Sequence, residues 1–340
     1  MYCESATGKE KKAKVVKEEK IELKKFKWEM NTAVNSVPYI LIVVLIILFS
    51  ALSPAFRTYR NMIEILVLAS VFLMLATGET FPVLIGSIDL SVGSMIVGSG
   101  IVAATIAPSG GFITVVLMLV LGLIGGIING SITVFLKLPS FIVTLATSFI
   151  LSGIGIALTK GYCIGIRSRQ FSWIATGNLI DGVPNVILWS LIVYFIFVYI
   201  NEKTKFGRYL FAIGGDEDVA ARMGINVAKY RIIAFALAGL LTGFATLFLS
   251  SKLGVVSGRL GPSYLFNALI AVVVGGTPLS GGIGGVKKTF IGVLIITILE
   301  NGMNLIGIDI RVQYIIKTVV LIFAVYVNSI PVRSKIDFMK

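Results

Sequence analysis

"FITVVLMLVLGLIGGIINGSITVFL", residues 112–136, runs from Phe112 to Leu136 without one charged side chain. At about 1.5 Å of rise per residue, such a run outlasts the roughly 30 Å hydrocarbon core of a bilayer. It predicts a membrane-spanning helix. The same signal recurs along the chain, at about 37–53, 61–78, 80–107, 140–159, 185–201, 231–250, 264–277, 288–306 and 312–330. The block at 264–277 is short enough to be a half-helix or re-entrant piece, so the prediction is about ten crossings, or one fewer plus a re-entrant segment. With 56% hydrophobic and 14% charged residues, the expected fold class is all-α, a polytopic membrane helical bundle. A β-barrel would show alternating segments of about ten residues, and no such pattern occurs.

The first 36 residues differ. They carry nine lysines and no long apolar run, which reads as a basic cytoplasmic tail at 1–36 rather than a signal peptide. The tail is either solvated or drawn to anionic lipid headgroups, since Phe26 and Trp28 interrupt the charge. A transmembrane domain at 37–332 and a short cytoplasmic tail at 333–340 complete the division. The net charge of +13 reflects sidedness and does not indicate a nucleic-acid partner. With both termini inside and the first tail set aside, the cytoplasmic side collects twelve basic residues against eight outside. The chain has no histidine, and its two cysteines, Cys3 and Cys163, have no metal-ligand spacing. No metal site is expected, and the usual general base is missing, which disfavours an enzyme.

Two hydrophilic loops stand out. Residues 160–184 form a partly ordered outer loop with Trp173 and Pro184, and residues 202–231 form a cytoplasmic loop with no insertable segment. The 36 glycines concentrate inside the apolar blocks, where small residues let helix backbones approach closely. Acidic residues in such blocks are costly and need a partner or a cavity. Glu64 and Glu79 fall near predicted helix ends and read as interfacial. Glu300 belongs deeper, with Lys317 on the next helix as its candidate partner.

"IGSIDLSVGS", residues 85–94, reads as a helix break. Asp89 is placed to accept backbone N–H groups at a helix start, with Ser91, Gly93 and Ser94 beside it. Broken helices at membrane depth occur where protein or a water-filled cavity covers the backbone, often near a substrate path. "GGTPLSGGIGG" at 275–285 reads as a second break containing Ser280. Asn129 and Asn301, each followed by glycine, and Thr144 complete the candidates for a translocation path or helix break. No phosphate-loop motif is present.

Together, "IDLSVGSM" (88–95), "GGIINGSI" (125–132), "LPSFIVTLATSFILSGIGIALTKG" (138–161), "TKFGRYLFAIGGDEDVAARMGINVAKYR" (204–231), "GGTPLSGG" (275–282) and "ENGMNLIGI" (300–308) resemble, in order, the permease subunits of ribose-type bacterial ABC sugar importers. The resemblance implies a type II ABC importer-like fold in the bacterial inner membrane. It also implies a second permease subunit, in a homodimer or heterodimer, two cytoplasmic ATPase subunits and an extracytoplasmic sugar-binding protein. ATP and Mg would belong to the ATPase, with no cofactor on this chain. Residues 204–231 would contain the coupling helix: Gly207, Arg208, Gly214, Gly215, Asp216, Ala220, Ala221, Gly224 and Ile225 are its candidates. "EDVAARMGI" supports that physically as a short helix ended by Gly224, with Ala220 and Ala221 small enough to seat against a partner. The alternatives are an ion-coupled secondary transporter using Glu79, Asp89 and Glu300, or an ABC permease for branched-chain amino acids or another small polar solute.

Overall fold

A computed structural model describes residues 36–336, apart from 167, 259 and 260. The expected tails at 1–36 and 333–340 therefore lie mainly outside the described residues. Helices α1 (Ser36–Leu52), α2 (Tyr59–Leu84), α3 (Val92–Ile106), α4 (Phe112–Phe135) and α5 (Ser140–Thr159) are followed by α6 (Arg169–Thr176), α7 (Asn185–Lys203), α8 (Lys205–Gly215), α9 (Glu217–Arg222), α10 (Val227–Leu253), α11 (Gly261–Val274), α12 (Val286–Leu305) and α13 (Ile310–Ile336). Strands β1 (Ile164–Gly165) and β2 (Val255–Val256) pair antiparallel. Among the described residues, six helices, α2, α4, α5, α7, α10 and α13, are long and apolar enough to cross a membrane, all but α13 along their whole length. This is a multi-pass membrane protein.

The block expected at 80–107 is not one helix. Helix α2 continues through Pro82 to Leu84, and α3 starts only at Val92 after a break. The half-helix is real: α11 has 14 residues, about 21 Å of rise, too short for the hydrocarbon core. Its first residue, Gly261, packs against Gly93, so the N-terminal ends of the two short helices α3 and α11 abut.

Glycine makes the centre. A Cβ on Gly126 would overlap the carbonyl of Phe235, and one on Gly122 or Gly239 would overlap the other's carbonyl. Helices α4 and α10 thus lie backbone to backbone, the contact that small residues permit in lipid. Gly292 meets Ala271 O in the same way, joining α12 to α11, and Gly78 fits against Ala238, joining α2 to α10. Around this centre α5 and α13 keep mostly exposed apolar faces, including Phe149 and Phe323.

Contacts sort the connections into two ends. At one end, Gly282 N donates to Leu84 O at 2.9 Å, and Val286 N donates to Asn201 Oδ1 at 3.2 Å. The breaks and the loop at 204–226 gather there. At the other end β1 pairs with β2, and the Ser251 hydroxyl donates to Phe171 O at 2.6 Å while accepting from Ala175 N at 3.0 Å. The loop expected to be partly ordered is therefore a platform: α6, capped by Ser168, buries Phe171 and Ala175 against the end of α10.

Gly126→Leu is expected to abolish the α4–α10 contact, lowering the thermal unfolding midpoint in detergent and reducing folded yield. Overpacking typically costs about 1–3 kcal/mol. Gly153→Ala on α5, where an added Cβ meets nothing within 4 Å, is expected to leave the midpoint unchanged.

Candidate functional site

The first break frees backbone N–H groups from the helical ladder, and neighbouring side chains take them up. Ile88 N donates to Ser140 Oγ at 3.1 Å, Leu90 N to Thr144 Oγ1 at 3.0 Å and Asp89 N to Glu79 Oε1 at 3.1 Å. Asp89 Oδ1 accepts from Ser91 N at 2.8 Å and from the Ser91 hydroxyl at 2.5 Å. Asn129 Nδ2 donates to Ser91 Oγ at 2.8 Å, and Thr147 Oγ1 donates to Asn129 Oδ1 at 2.7 Å. The chain of bonds thus runs from α2 through the break to α4 and α5. Ser94 turns inward, its hydroxyl donating to Ser91 O.

Asp89, Ser91, Asn129 and Thr144 thus meet in one network and are fully buried. Asp89 holds backbone, as its position suggests, but from an Asx turn two residues ahead of Ser91. The N-cap of α3 is Ser91 itself, without a side-chain cap bond. Glu79 corrects the sequence reading. It is not interfacial, because α2 extends past it and turns it inward onto the break, where it is fully buried.

The second break, 275–285, bends through glycines with positive φ, among them Gly281 at 78° and Gly282 at 79°. Gly285 N donates to Thr277 Oγ1 at 3.0 Å. Ser280 is exposed and reaches the first break only through its backbone: a Cβ on Gly86 would lie 3.4 Å from Ser280 O. Asn301 belongs to neither break. Its Nδ2 donates to Asn61 Oδ1 at 2.9 Å, near the opposite end of α12. Glu300 has the partner expected for it: Lys317 Nζ lies 2.5 Å from Glu300 Oε2, which also accepts from Asn267 Nδ2 at 2.7 Å.

Helix α8 lies against both breaks, and α9 follows it, held against α10. Thr204 caps α8 by accepting from Gly207 N, and Asp216 caps α9 by accepting from Val219 N at 2.9 Å. A Cβ on Gly207 would overlap Asn201 O, so α8 must fold back tightly on the end of α7. A Cβ on Gly214 would overlap Leu84 O and lie 2.5 Å from Gly282 N. The end of α8 is therefore in backbone contact with the end of α2 and with the second break. Gly215 meets open space, and Arg208 is exposed with Nη1 donating to Lys203 O at 3.4 Å.

Helix α9 presents a different face from the one expected. Ala220 is buried, Ile225 N folds back to its carbonyl at 3.1 Å, and Ile225 itself is half-buried. Ala221 is exposed, and beside it Val219 is 43% and Met223 76% exposed. Gly224 follows at φ +83° with open space around it. An apolar pair on a short charged helix was the overlooked signal. Arg231 Nη2 of α10 holds α9 through Glu217 Oε2 at 2.7 Å.

Residues 61–325, a stretch that includes both breaks and the whole of α8 and α9, match the family described as branched-chain amino acid transport system / permease component. The chain belongs to this permease family. It is 38% identical over 299 residues to a ribose import permease protein of Haemophilus influenzae, covering 86% of this chain and 92% of that one. It is 31% identical over 364 residues to a xylose transport system permease protein of the same organism, covering 87% and 97%. It is 31% identical over 320 residues to a galactose/methyl galactoside import permease protein of Salmonella typhimurium, covering 87% and 94%.

Within this family member the buried network makes a stability test. Asn129→Leu removes the bonds to the Ser91 and Thr147 hydroxyls, which keep their bonds to Asp89 Oδ1 and Val143 O, and is expected to cost about 1–3 kcal/mol, about 0.5–1.5 for each of two lost hydrogen bonds. Thermal unfolding in detergent measures it.

Proposed function

We propose that this chain is the membrane-spanning permease subunit of an ATP-driven importer, carrying a sugar delivered by an extracytoplasmic binding protein into a bacterial cell. The observation that carries the reading is the backbone joint at Gly214: the segment bearing the exposed helix α9 touches both helix breaks at once. A partner that pushes on α9 therefore moves the two places where the bundle is least helical. Broken helices of this kind lie near the solute path in other transporters. The sugar class follows the relatives, three of which are named for ribose, xylose and galactose import.

In this reading the end carrying α8 and α9 faces the cytoplasm, in accord with the excess of basic residues assigned to that side. Two ATPase subunits dock there, with ATP and Mg on them, and Val219, Ala221 and Met223 seat in the ATPase surface. The α6 platform faces outward and receives the binding protein, offering Trp173 and Leu179, both exposed. A second permease copy, identical or related, completes the path, and sugar crosses by alternating access. Asp89 and its network hold the break in shape and do not grip the sugar.

The deciding experiment is reconstitution in proteoliposomes with the ATPase and the binding protein, testing ribose, xylose and galactose. Uptake is expected to need ATP and all three components. Gradient-driven uptake by this chain alone would overturn the reading. Met223→Asp is expected to weaken ATPase association about tenfold or more, as loss of a buried anchor does, while the exposed position leaves unfolding unchanged. Gly214→Val is expected to leave ATP hydrolysis running while uptake falls, because the bulky side chain separates α8 from Leu84 and Gly282.

A further inference from the structure

Beside the α9 helix lies a cavity of about 630 Å³, walled by the last turn of α4, the α4–α5 connection and the first turn of α10. Its polar lining is Thr133, Lys137, Glu217 and Arg231. Thr133 is only 5% exposed, and its hydroxyl has no partner. The Arg231 guanidinium gives Nη2 to Glu217, yet its buried Nε also has no partner. Lys137 takes the left-handed conformation, φ 53°, unusual for a residue with a side chain.

A helix start adds to this. Pro139, the N-cap of α5, lines the same cavity, and no side chain caps α5. Val227 and Ala228, in the first turn of α10, line it too, but there Asn226 Oδ1 already accepts from Lys229 N at 3.0 Å. Helix N-termini carry partial positive charge and open N–H groups. Against two cations, one uncapped helix start and a spare hydroxyl stands one carboxylate, Glu217, itself half-exposed and bound to Arg231. The site is short of one anion.

We propose that this cavity binds a phosphate group, with Arg231 Nε and Nη groups, Lys137 Nζ and Thr133 Oγ1 as its donors. The phosphate comes either from an anionic lipid headgroup or from a soluble phosphate. Phe135, Leu136 and Leu138 beside the cavity are exposed, which sets it at the level of a membrane surface. Bound phosphate competes with Glu217 for Arg231, the residue that ties α9 to α10. Occupancy thus sets how firmly that helix is held. This consequence rests on the function proposed above; the binding itself does not.

The test uses the full-length chain in phosphate-free dodecyl maltoside, titrated with sodium phosphate or with dioctanoyl phosphatidylglycerol. Sodium chloride at matched ionic strength and dioctanoylglycerol are the controls, and the thermal unfolding midpoint is read. A saturable rise with sodium phosphate assigns the soluble source, and a rise with phosphatidylglycerol alone assigns the lipid. In either case Thr133→Val is expected to weaken half-saturation about tenfold, the loss of one hydrogen bond to a charged group. Lys137→Gln, an exposed change that leaves the fold alone, is expected to weaken it at least as much, while Glu217→Gln tightens it several-fold. No rise above the controls overturns the site, and so does a rise that Lys137→Gln and Glu217→Gln leave unmoved.

Discussion

An amide that leaves a helix inside a bilayer has no water to turn to, and each such group left alone costs several kcal/mol. The arrangement at residues 85–91 answers that constraint. Three consecutive backbone N–H groups, at Ile88, Asp89 and Leu90, find side-chain oxygens on α5, α2 and α5 again. The polar residues that look out of place in an apolar chain are the substitutes for a missing helical ladder. Glu79, Ser140 and Thr144 are therefore as much a part of the break as Asp89, although they lie up to about fifty residues away along the chain.

The second constraint works against the first. Breaks need polar groups, but polar groups need room, and the bundle gains stability in lipid from close backbone packing. The chain separates the two demands. Glycines at 122, 126, 239 and 243 bring α4 and α10 together along their middles, whereas the hydroxyls and Asn129 gather toward the end where α2 stops. A single helix serves both: α4 presents Gly122 and Gly126 to α10 and, one turn later, Asn129 to the break. Spacing along one helix decides which neighbour meets which chemistry.

The helices were legible because their signal is bulk composition: α5 and α4 match the predicted spans to within a residue. The break was legible as polarity in an apolar run. Its partners were not, because a hydrogen bond between Leu90 and Thr144 leaves no trace in either local sequence. Glu79 was misplaced for a related reason. The polar "TGET" reads as a helix end, but tertiary satisfaction lets α2 carry it inside. Ala220 and Ala221 are identical in type, so only the roll of α9 on the bundle could tell the inward one from the outward one. Glu300 and Lys317 were easier, because two opposite charges in adjacent apolar helices have few other ways to be accommodated.

The contrast between the two sides of the first break bears on how it could move. Toward α4 and α5 it is fixed by side-chain hydrogen bonds, several of them shared through Ser91 and Asn129, so shifting it there would strand buried polar atoms. Toward α8 and the second break it meets mainly glycine backbone, with one hydrogen bond, from Gly282 N to Leu84 O. A glycine surface has no rotamers to reset, so sliding across it costs packing area and one bond rather than a network. Displacement applied at α8 would therefore be taken up at the Gly214 joint and passed to the end of α2, while the polar anchor holds the start of α3 in place. In the function proposed, the break would act as a hinge with one stiff side and one smooth side, and the end of α8, which leads into α9, lies on the smooth side.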